Sequence, residues 1–438
     1  MDFQLLFNPV IVSVVLLCIL CLCRINVLLA LMVSAIVAGL LGKLSVDNIM
    51  STFISGMGGN SETALSYILL GTFAAAMTHT GLASVFAKRI SLFIKNRIYL
   101  LLLILTILAI LSQNLIPVHI AFIPIVIPPL LHLMNKLHLD RRAVACALAF
   151  GLKAPYIAIP AGFGLIFQSL LAENMTQNGM AFAVKDVWKS TWFLGAAMLV
   201  GLLTAIFITY RNPREYKDLA IREETFKLER QSLRFNQKHY ITLLGAFATL
   251  GVQLWTNSLP LGALVGLGII FGARAIDHRK MDQIINEGVG LMGYVAFVML
   301  IAAGFAMVLK ATGGIDVLIN SMIPYMSNKL IATSLMLFIG LFITMGIGTS
   351  FGTIPILAVL FVPICANLGF SPVATIIILA AASALGDAGS PASDTTLGPT
   401  AGLNADCQHD HIRDTCIPTF LHFNIPLIIF ALIAAVIF

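Results

Sequence analysis

Long apolar runs recur along the whole chain and are separated by short polar segments. About 20 apolar residues are enough for a helix to cross the hydrocarbon layer of a bilayer, which is about 30 Å thick. The pattern therefore predicts membrane-spanning α-helices from one end of the chain to the other. Fourteen segments satisfy it, at residues 9–23, 25–42, 63–86, 98–116, 118–134, 143–171, 190–210, 240–256, 258–273, 289–311, 331–347, 350–368, 372–388 and 416–437.

The composition indicates a polytopic membrane protein. Hydrophobic residues make up 59% of the 438 positions and charged residues only 11%, whereas charged residues make up about a quarter of a soluble domain. No basic residue precedes the first apolar run, so the N-terminus lacks the charged region of a cleavable signal peptide and we expect it to be retained. The cysteines follow neither zinc nor disulfide spacing, and we interpret them as small apolar fillers.

The basic residues predict the orientation, because the side rich in Lys and Arg stays cytoplasmic. With the N-terminus outside, the cytoplasmic side receives the basic residues at positions 24, 88–97, 136–142, 211–238, 274–280 and 413. We therefore predict a multi-pass protein of the inner membrane. Both termini lie outside in this prediction, and residues 211–238 form a cytoplasmic linker.

The two halves of the chain carry a weak internal repeat. Residues 56–81 align with residues 288–313 at a constant offset, with the same residue type at seven positions. Weak internal similarity of this kind is typical of transporters built from duplicated units. Each half holds an odd number of predicted crossings, so the two copies must have opposite orientations. The predicted organisation is a first inverted repeat at residues 1–210, the linker, and a second inverted repeat at residues 239–438.

The segment GDAGSPASDTT, residues 386–396, interrupts the late half with glycine, proline, hydroxyl and carboxylate groups. Unpaired backbone groups cost several kcal/mol each in lipid, so such a segment survives at membrane depth only inside protein or along a wet cavity. Its oxygen atoms are hard ligands that suit Na⁺, and a carboxylate can also exchange the ion for a proton. The alternative is a cytoplasmic loop after a crossing that ends early. The candidate ion and substrate ligands are Asp387, Ser390, Ser393, Asp394, Thr395 and Thr396, with the two aspartates as Na⁺ ligands.

A second polar break lies in each half, at residues 344–355 and at residues 112–124. Broken helices at matching places in two inverted halves predict a binding site at the midplane of the membrane. The alternative is a pair of kinked helices whose hydroxyls bond back to their own backbone. These breaks add the candidate ligands Thr349, Ser350 and Thr353 in the late half and Asn114 and His119 in the early half.

Lys153 lies within a predicted crossing. A lone ammonium near the bilayer centre costs at least about 2.5 kcal/mol, so Lys153 needs a partner. When the offset between the two halves is lengthened by three residues, Asp387 lies at nearly the position of the late half that corresponds to Lys153. An ion pair between them could be opened by a bound cation or proton. A substrate carboxylate is the second candidate partner, and snorkelling to an interface is the third alternative.

Two histidines and one loop are weaker candidates. His79 and His422 could belong to a proton path, although a histidine within a helix is more often packed and hydrogen-bonded. The loop at residues 406–416 carries Asp, His and Cys side chains, but their spacing matches no zinc pattern. We interpret it as a cytoplasmic gate loop, with metal binding as the alternative.

Residues 386–396 resemble the GD-x-x-SP-x-SDTT signature of the NhaC-type Na⁺/H⁺ antiporters, within the ion transporter superfamily. The following segment, TLGPTAGLNADCQHDHIRDTCIPT, is more similar to a branch of amino-acid transporters to which histidine uptake has been assigned by inference. The resemblance implies an all-α inverted-repeat transporter with two re-entrant hairpins, discontinuous helices and frequent dimerisation. It also implies that Asp387, Ser390, Ser393, Asp394, Thr395 and Thr396 bind the coupling ion and the substrate.

Together these patterns predict an ion-coupled secondary transporter. In the Na⁺/H⁺ antiport version, Asp387 and Asp394 bind Na⁺ from one side of the membrane and protons from the other side of the membrane. In the alternative version, Na⁺ or H⁺ drives amino-acid transport, and Lys153 or a helix N-terminus receives the substrate carboxylate. A channel is the alternative from another class, and an enzyme is disfavoured because no nucleophile–base pair is recognisable. The expected partners are a small-molecule or ion substrate and the lipid bilayer, with no nucleic acid, no cofactor besides Na⁺ or H⁺, and a homodimer as the candidate assembly.

Overall fold

The computed structural model describes residues 7–23, 25–82, 85, 97–114, 123–217, 235–256, 258–314, 317, 328–347, 349–391 and 393–438. These residues form eighteen α-helices and contain no strand, which confirms the predicted all-α class. The helices are α1 Pro9–Leu22, α2 Val27–Leu41, α3 Val46–Met57, α4 Ser61–Thr80, α5 Ile98–Asn114, α6 Ile123–Val126, α7 Leu131–Lys136, α8 Arg141–Ala158, α9 Phe163–Gln177, α10 Val184–Thr204, α11 Gln237–Thr256, α12 Leu259–Gly272, α13 Met281–Ala311, α14 Lys329–Ile347, α15 Ser350–Asn367, α16 Pro372–Ala384, α17 Asp394–Leu403 and α18 Ile417–Ile437. Two π-helical segments adjoin them, Ala205–Thr209 after α10 and His411–Cys416 before α18.

Among the described residues, three helices are by themselves long and apolar enough to cross a membrane. They are α10 with its π-helical end, α15, and α18 with the π-helical turn before it. The pair α8 and α9, bent by 48° at a short break, qualifies as a fourth span when taken together. Other apolar helices, such as α12 and α16, are shorter than the roughly 20 residues of a full crossing.

The predicted crossing at residues 143–171 consists of two helices rather than one. Helix α8 ends at Ala158, and α9 begins at Phe163. Pro160 explains the end of α8, because a residue that precedes proline is disfavoured in helical conformation. Gly162 adopts a φ of +59°, and a Cβ there would lie 2.6 Å from the carbonyl oxygen of Asn114. The break therefore depends on a glycine with left-handed backbone and no side chain.

Helix α3 was not among the predicted spans, because its sequence is amphipathic rather than uniformly apolar. Ser45 caps its N-terminus, and its side chain accepts a hydrogen bond from the Asn48 amide. Ile49, Phe53 and Gly56 form its buried face. This face packs against the C-terminal half of α13.

Helices α8, α15 and α16 form the interior of the molecule. In α15, 83% of the 18-residue membrane-spanning window is buried within the protein. The corresponding share for α18 is 33%. Every residue of α16 from Ala374 to Ala384 is buried, as is almost the whole of α8. A polar group on these helices is therefore surrounded by protein rather than by lipid.

Each predicted repeat contains one broken helix pair, α8–α9 in the early half and α16–α17 in the late half. The boundaries of the repeats and the re-entrant character of the pairs stay predictions. Residues 218–234 of the predicted linker lie outside the described residues.

Candidate functional site

The segment between α16 and α17 is a buried loop of fixed shape. Gly386 and Gly389 have φ of +80° and +97°, a region that glycine enters without steric cost. A Cβ on Gly389 would lie 2.4 Å from the Cβ of Phe420 on the neighbouring helix. Asn424 holds the loop from α18: its Oδ1 accepts a hydrogen bond from the Gly386 amide (3.3 Å) and its Nδ2 donates to the carbonyl of Ala388 (3.0 Å).

The carboxylate of Asp387 is the centre of this site. Its Oδ2 lies 3.1 Å from the Lys153 Nζ and accepts hydrogen bonds from the hydroxyls of Ser350 (2.5 Å) and Tyr156 (3.2 Å). Its Oδ1 accepts a hydrogen bond from the hydroxyl of Ser393. One ammonium and three hydroxyls therefore surround a single carboxylate.

Four separate elements bring these groups together. Lys153 and Tyr156 are three residues apart on α8 and so share one face of that helix. Ser350 lies within the predicted break at 344–355 and is the first residue of α15. Ser393 is the N-cap of α17, and its Oγ also accepts a hydrogen bond from the Thr395 amide (3.1 Å). The site lies where the breaks of the late half meet the middle of α8.

Both charges of the pair lie in the protein interior, since Lys153 is 0% exposed and Asp387 is 4% exposed. Taking two ions out of water costs several kcal/mol each, and their mutual attraction repays this only if hydrogen bonds satisfy the remaining polar atoms. Here three hydroxyls supply those bonds. Such a pair tolerates the loss of one partner poorly, because the remaining charge would be buried without compensation.

The other hydroxyls of the signature stabilise the loop itself. Thr395 Oγ1 donates to the carbonyl oxygen of Asp387 (3.3 Å), and Thr396 Oγ1 donates to that of Ser393 (2.8 Å). Ser390 Oγ donates to the carbonyl oxygen of Met345 and so joins the loop to α14. These contacts fix the backbone of the loop that carries Asp387. Asp394 begins α17, and its side chain lies outside the described part of the structure.

In the second break of the late half, Thr349 precedes α15 in extended backbone conformation. Thr353 Oγ1 donates back to the carbonyl of Ser350 (2.9 Å), as expected for the alternative of a hydroxyl bonded to its own helix. Of the three candidates in this break, Ser350 is the one that contacts the Asp387 carboxylate.

In the early half, Asn114 lies at the break between α8 and α9. Its Nδ2 donates to the carbonyls of Ile159 (3.3 Å) and Ala161 (2.9 Å), both freed by that break. From α11, Gln253 makes two hydrogen bonds of 3.3 Å with the backbone of Gly162. The structure thus assigns Asn114 to the α8–α9 break and not to the Asp387 carboxylate. His119 lies outside the described residues.

Comparison with known proteins gives the family. A model described as the Na⁺/H⁺ antiporter family matches residues 147–434, and a model described as the Na⁺-H⁺ antiporter family matches residues 8–94. The chain belongs to the Na⁺/H⁺ antiporter family. The match at 147–434 includes Lys153, Asp387 and every hydroxyl that contacts Asp387.

Curated relatives cover the whole chain. An uncharacterised membrane protein of Vibrio parahaemolyticus is 47% identical over 445 residues, which span 98% of this chain and 100% of the relative. A Bacillus subtilis protein named "Putative amino acid transporter YuiF" is 44% identical over 448 residues, with 98% and 100% covered. The crystal structure of the YdaH transporter of Alcanivorax borkumensis shares the fold, with a TM-score of 0.60, 14% identity, and coverage of 90% and 89% of the two chains. This member of the Na⁺/H⁺ antiporter family is a multi-pass membrane protein and a secondary transporter, not an enzyme.

The two candidate histidines of this antiporter-family chain are hydrogen-bonded. His79 Nε2 lies 2.8 Å from Glu287 Oε2. His422 Nδ1 lies 2.7 Å from the carbonyl of Pro418, and its Nε2 lies 2.9 Å from Thr209 Oγ1. Both histidines are thus hydrogen-bonded, His79 at an exposed position and His422 at a half-buried one, and their hydrogen bonds go to groups other than the Asp387 carboxylate.

The loop at 406–416 is anchored to the start of α8. Arg141, which is 0% exposed, donates to both carboxylate oxygens of Asp406 at 2.7 and 2.6 Å. Burial raises the pKa of the Asp406 carboxyl, but the hydrogen bonds and charge of Arg141 outweigh burial and hold it below its ordinary value. The hydrogen bonds between Arg141 and Asp406 therefore join this loop to α8.

Sequence reasoning missed Tyr156, Asn424 and the Arg141–Asp406 pair. For Tyr156 a signal existed, because it follows Lys153 by three residues and therefore lies on the same helix face. Arg141 and Asp406 are 265 positions apart, and nothing in either local sequence points to the other.

Proposed function

We propose that the protein is a Na⁺- and H⁺-coupled transporter in which the transported cation and the Lys153 ammonium compete for Asp387. The observation that supports this most directly is the ion pair of 3.1 Å between two side chains that are 0% and 4% exposed. Membership of the Na⁺/H⁺ antiporter family supports the choice of ions.

The three hydroxyls around Asp387 are suited to an exchange of cations. A hydroxyl is both a donor and an acceptor, so Ser350, Ser393 and Tyr156, which now donate to the carboxylate, can turn lone pairs toward a bound ion. The carbonyl oxygens of the α16–α17 loop supply further hard ligands. Na⁺ then replaces the ammonium at the carboxylate while the loop keeps its shape.

Charge balance links Na⁺ to protons in this proposal. A buried site with one carboxylate accommodates one positive charge, and a second uncompensated charge in the interior is costly. Entry of Na⁺ therefore favours departure of a proton from the Lys153–Asp387 pair, and the return of the proton favours release of Na⁺. One Na⁺ moves for each proton if the pair is the whole coupling site.

The test is Na⁺-driven proton movement in liposomes containing the purified protein, followed by a pH-sensitive dye without any organic substrate. Asp387→Asn is expected to abolish the signal. Asp186→Asn is the matched control, because Asp186 forms an exposed pair with Lys189 at 2.6 Å. Wild-type exchange in the Asp387→Asn variant would refute the proposal.

A second candidate function is ion-coupled transport of an amino acid. It is favoured by the name of the Bacillus subtilis relative, which is 44% identical over nearly the whole chain. In this version, a cation on Asp387 frees Lys153 to receive the carboxylate of the substrate. Uptake of labelled histidine or other amino acids under a Na⁺ or H⁺ gradient, without Na⁺/H⁺ exchange in their absence, would favour it over simple antiport.

We further propose that the chain lies in the inner membrane with residues 211–238 in the cytoplasm, as the distribution of basic residues indicates. Two exposed native cysteines, Cys23 and Cys407, then face the cytoplasm. An impermeant thiol reagent is expected to label them in inverted vesicles and not in intact cells. Labelling of both in intact cells would reverse the proposed orientation.

A further inference from the structure

A cavity of about 410 Å³ lies between α4, α9 and the first turns of α10 and α12. Its lining on α9 runs from Leu165 to Glu173, toward the C-terminal end of the helix, where Lys310 Nζ donates to the carbonyl of Gln177 (3.1 Å). Because α8 and α9 are bent by only 48°, this end lies opposite Arg141 at the start of α8. With the proposed orientation, the cavity faces the outside of the cell.

The cavity carries both signs of charge. Glu62, Glu173 and Lys185 are exposed at its mouth, while Ser66 and Leu259 are buried deeper in its wall. Its volume is within the range of small-molecule sites, about 300–1,000 Å³, and is far larger than one ion requires. Two carboxylates and one ammonium complement a molecule that has two cationic groups and one carboxylate.

Buried aromatic side chains lie between α4, which contributes to the cavity wall, and the Asp387 site. Ser66 lines the cavity, and the ring of the next residue, Tyr67, contacts Phe351 edge-on with centroids 5.5 Å apart. Phe351 contacts Tyr156 at 5.2 Å, and the Tyr156 hydroxyl donates to Asp387. Two buried aromatic contacts therefore lie between Tyr67, the chain neighbour of the cavity-lining Ser66, and the residue that donates to the Asp387 carboxylate.

We propose that this cavity is the external recognition site for a cationic amino acid. Glu62 and Glu173 bind the two positive groups, and Lys185 binds the α-carboxylate. The Tyr67–Phe351–Tyr156 contacts form the partition that must open before the substrate reaches Asp387. This inference rests on the second candidate function, ion-coupled transport of an amino acid, and names a substrate class for it.

The experiment uses a cysteine introduced into the cavity wall and two impermeant reagents of opposite charge. The Ser169→Cys variant of the full chain is labelled in intact cells with the trimethylammonioethyl and the sulfonatoethyl methanethiosulfonates. We expect the cationic reagent to react about tenfold faster, because the two carboxylates concentrate it at the mouth. L-Lysine and L-arginine are expected to slow the reaction, and L-glutamate is not.

Two matched variants decide the role of the carboxylates. Adding Glu173→Gln to the Ser169→Cys background is expected to reduce the preference for the cationic reagent about threefold and to remove protection by L-lysine. The control is Ala181→Cys, exposed on the same face but outside the cavity, which should show neither preference nor protection. No labelling of Ser169→Cys from outside, no protection by L-lysine or L-arginine, or a Glu173→Gln variant with unchanged selectivity and protection would overturn the proposal.

A third variant separates this inference from the proposed function. Asp387→Asn in the Ser169→Cys background should lose coupled transport while keeping reagent preference and protection, because Asp387 lies beyond the aromatic partition. Loss of protection in this variant would overturn the inference of a separate external site. Normal transport by Asp387→Asn would instead refute the coupling mechanism, and the labelling results would still decide the cavity.

Discussion

A double-mutant cycle measures how strongly Lys153 and Asp387 depend on each other. The single changes are Lys153→Met and Asp387→Asn, and the double variant combines them. At a separation of 3.1 Å, unit charges in a medium of effective dielectric about 20 attract by about 5 kcal/mol. Removal of one partner leaves an uncompensated charge in the interior, which typically costs about 3–5 kcal/mol.

We therefore expect each single variant to lower the free energy of unfolding by about 3–5 kcal/mol. The double variant leaves neither charge unpaired, so its loss should be smaller than the sum of the two, with a coupling energy of about 3 kcal/mol. The free energy of unfolding is measured by titrating SDS into protein in mixed micelles and following circular dichroism. Na⁺/H⁺ exchange of the same samples is measured in liposomes, and the double variant should lose less stability than the two single losses added together, without regaining exchange.

The exposed pair of Lys189 and Asp186 serves as the control, since it has the same residue types at 2.6 Å with side chains 60% and 38% exposed. Exposed pairs contribute about 0–1 kcal/mol. A coupling energy for Lys153 and Asp387 no larger than that of this exposed pair would contradict the electrostatic reasoning. Exchange activity in the double variant would contradict the proposed role in transport.

Three further variants test separate parts of the structure. Gly389→Ala should lower the free energy of unfolding by about 1–3 kcal/mol or more, measured by the same SDS titration, because its φ is +97° and the new Cβ would meet Phe420 at 2.4 Å. Tyr156→Phe keeps the ring contacts but removes a hydroxyl from Asp387, so the Na⁺ concentration for half-maximal exchange should rise roughly threefold to tenfold. Because the pKa of Asp406 lies below its ordinary value of 3.8 in the folded protein, its contribution to stability is present at higher pH and is lost as pH falls below about 4. Asp406→Asn should therefore lower stability at neutral pH and flatten its decline below pH 4, as measured by unfolding at a series of pH values.

The sequence was sufficient to locate the charged centre of the site. Lys153 and Asp387 stand out because an ionised side chain within an apolar run has a high cost in the membrane, so its presence requires a partner. The glycine and proline residues around Asp387 predicted the break in the same way, since free backbone groups also need protein around them. These inferences need no knowledge of tertiary packing, because the bilayer supplies the constraint.

The orientation of the hydroxyls could not be predicted from the sequence. Ser350 and Thr353 belong to the same predicted break, yet Ser350 donates to Asp387 while Thr353 donates to its own helix backbone. The two residues are three positions apart and share one side of α15, and the sequence alone does not fix how far along that side the Asp387 carboxylate lies. Asn424 was missed for a similar reason, since its two hydrogen bonds to the loop depend on how α18 packs beside it.

Two buried ion pairs join α8 to the ends of α17, and together they constrain how the site can open. Lys153 and Arg141 are twelve residues apart on α8, which corresponds to about 18 Å along the helix axis. Lys153 binds Asp387 just before α17, whereas Arg141 binds Asp406 just after it. In the proposed mechanism a cation replaces only the first of these contacts. The end of α17 near Asp406 then stays anchored to α8, while the loop before α17 loses its ionic contact with α8 but keeps its hydrogen bonds to Asn424 and Met345. We therefore expect the first movement to be a change of tilt between α8 and α17 about the Arg141–Asp406 pair.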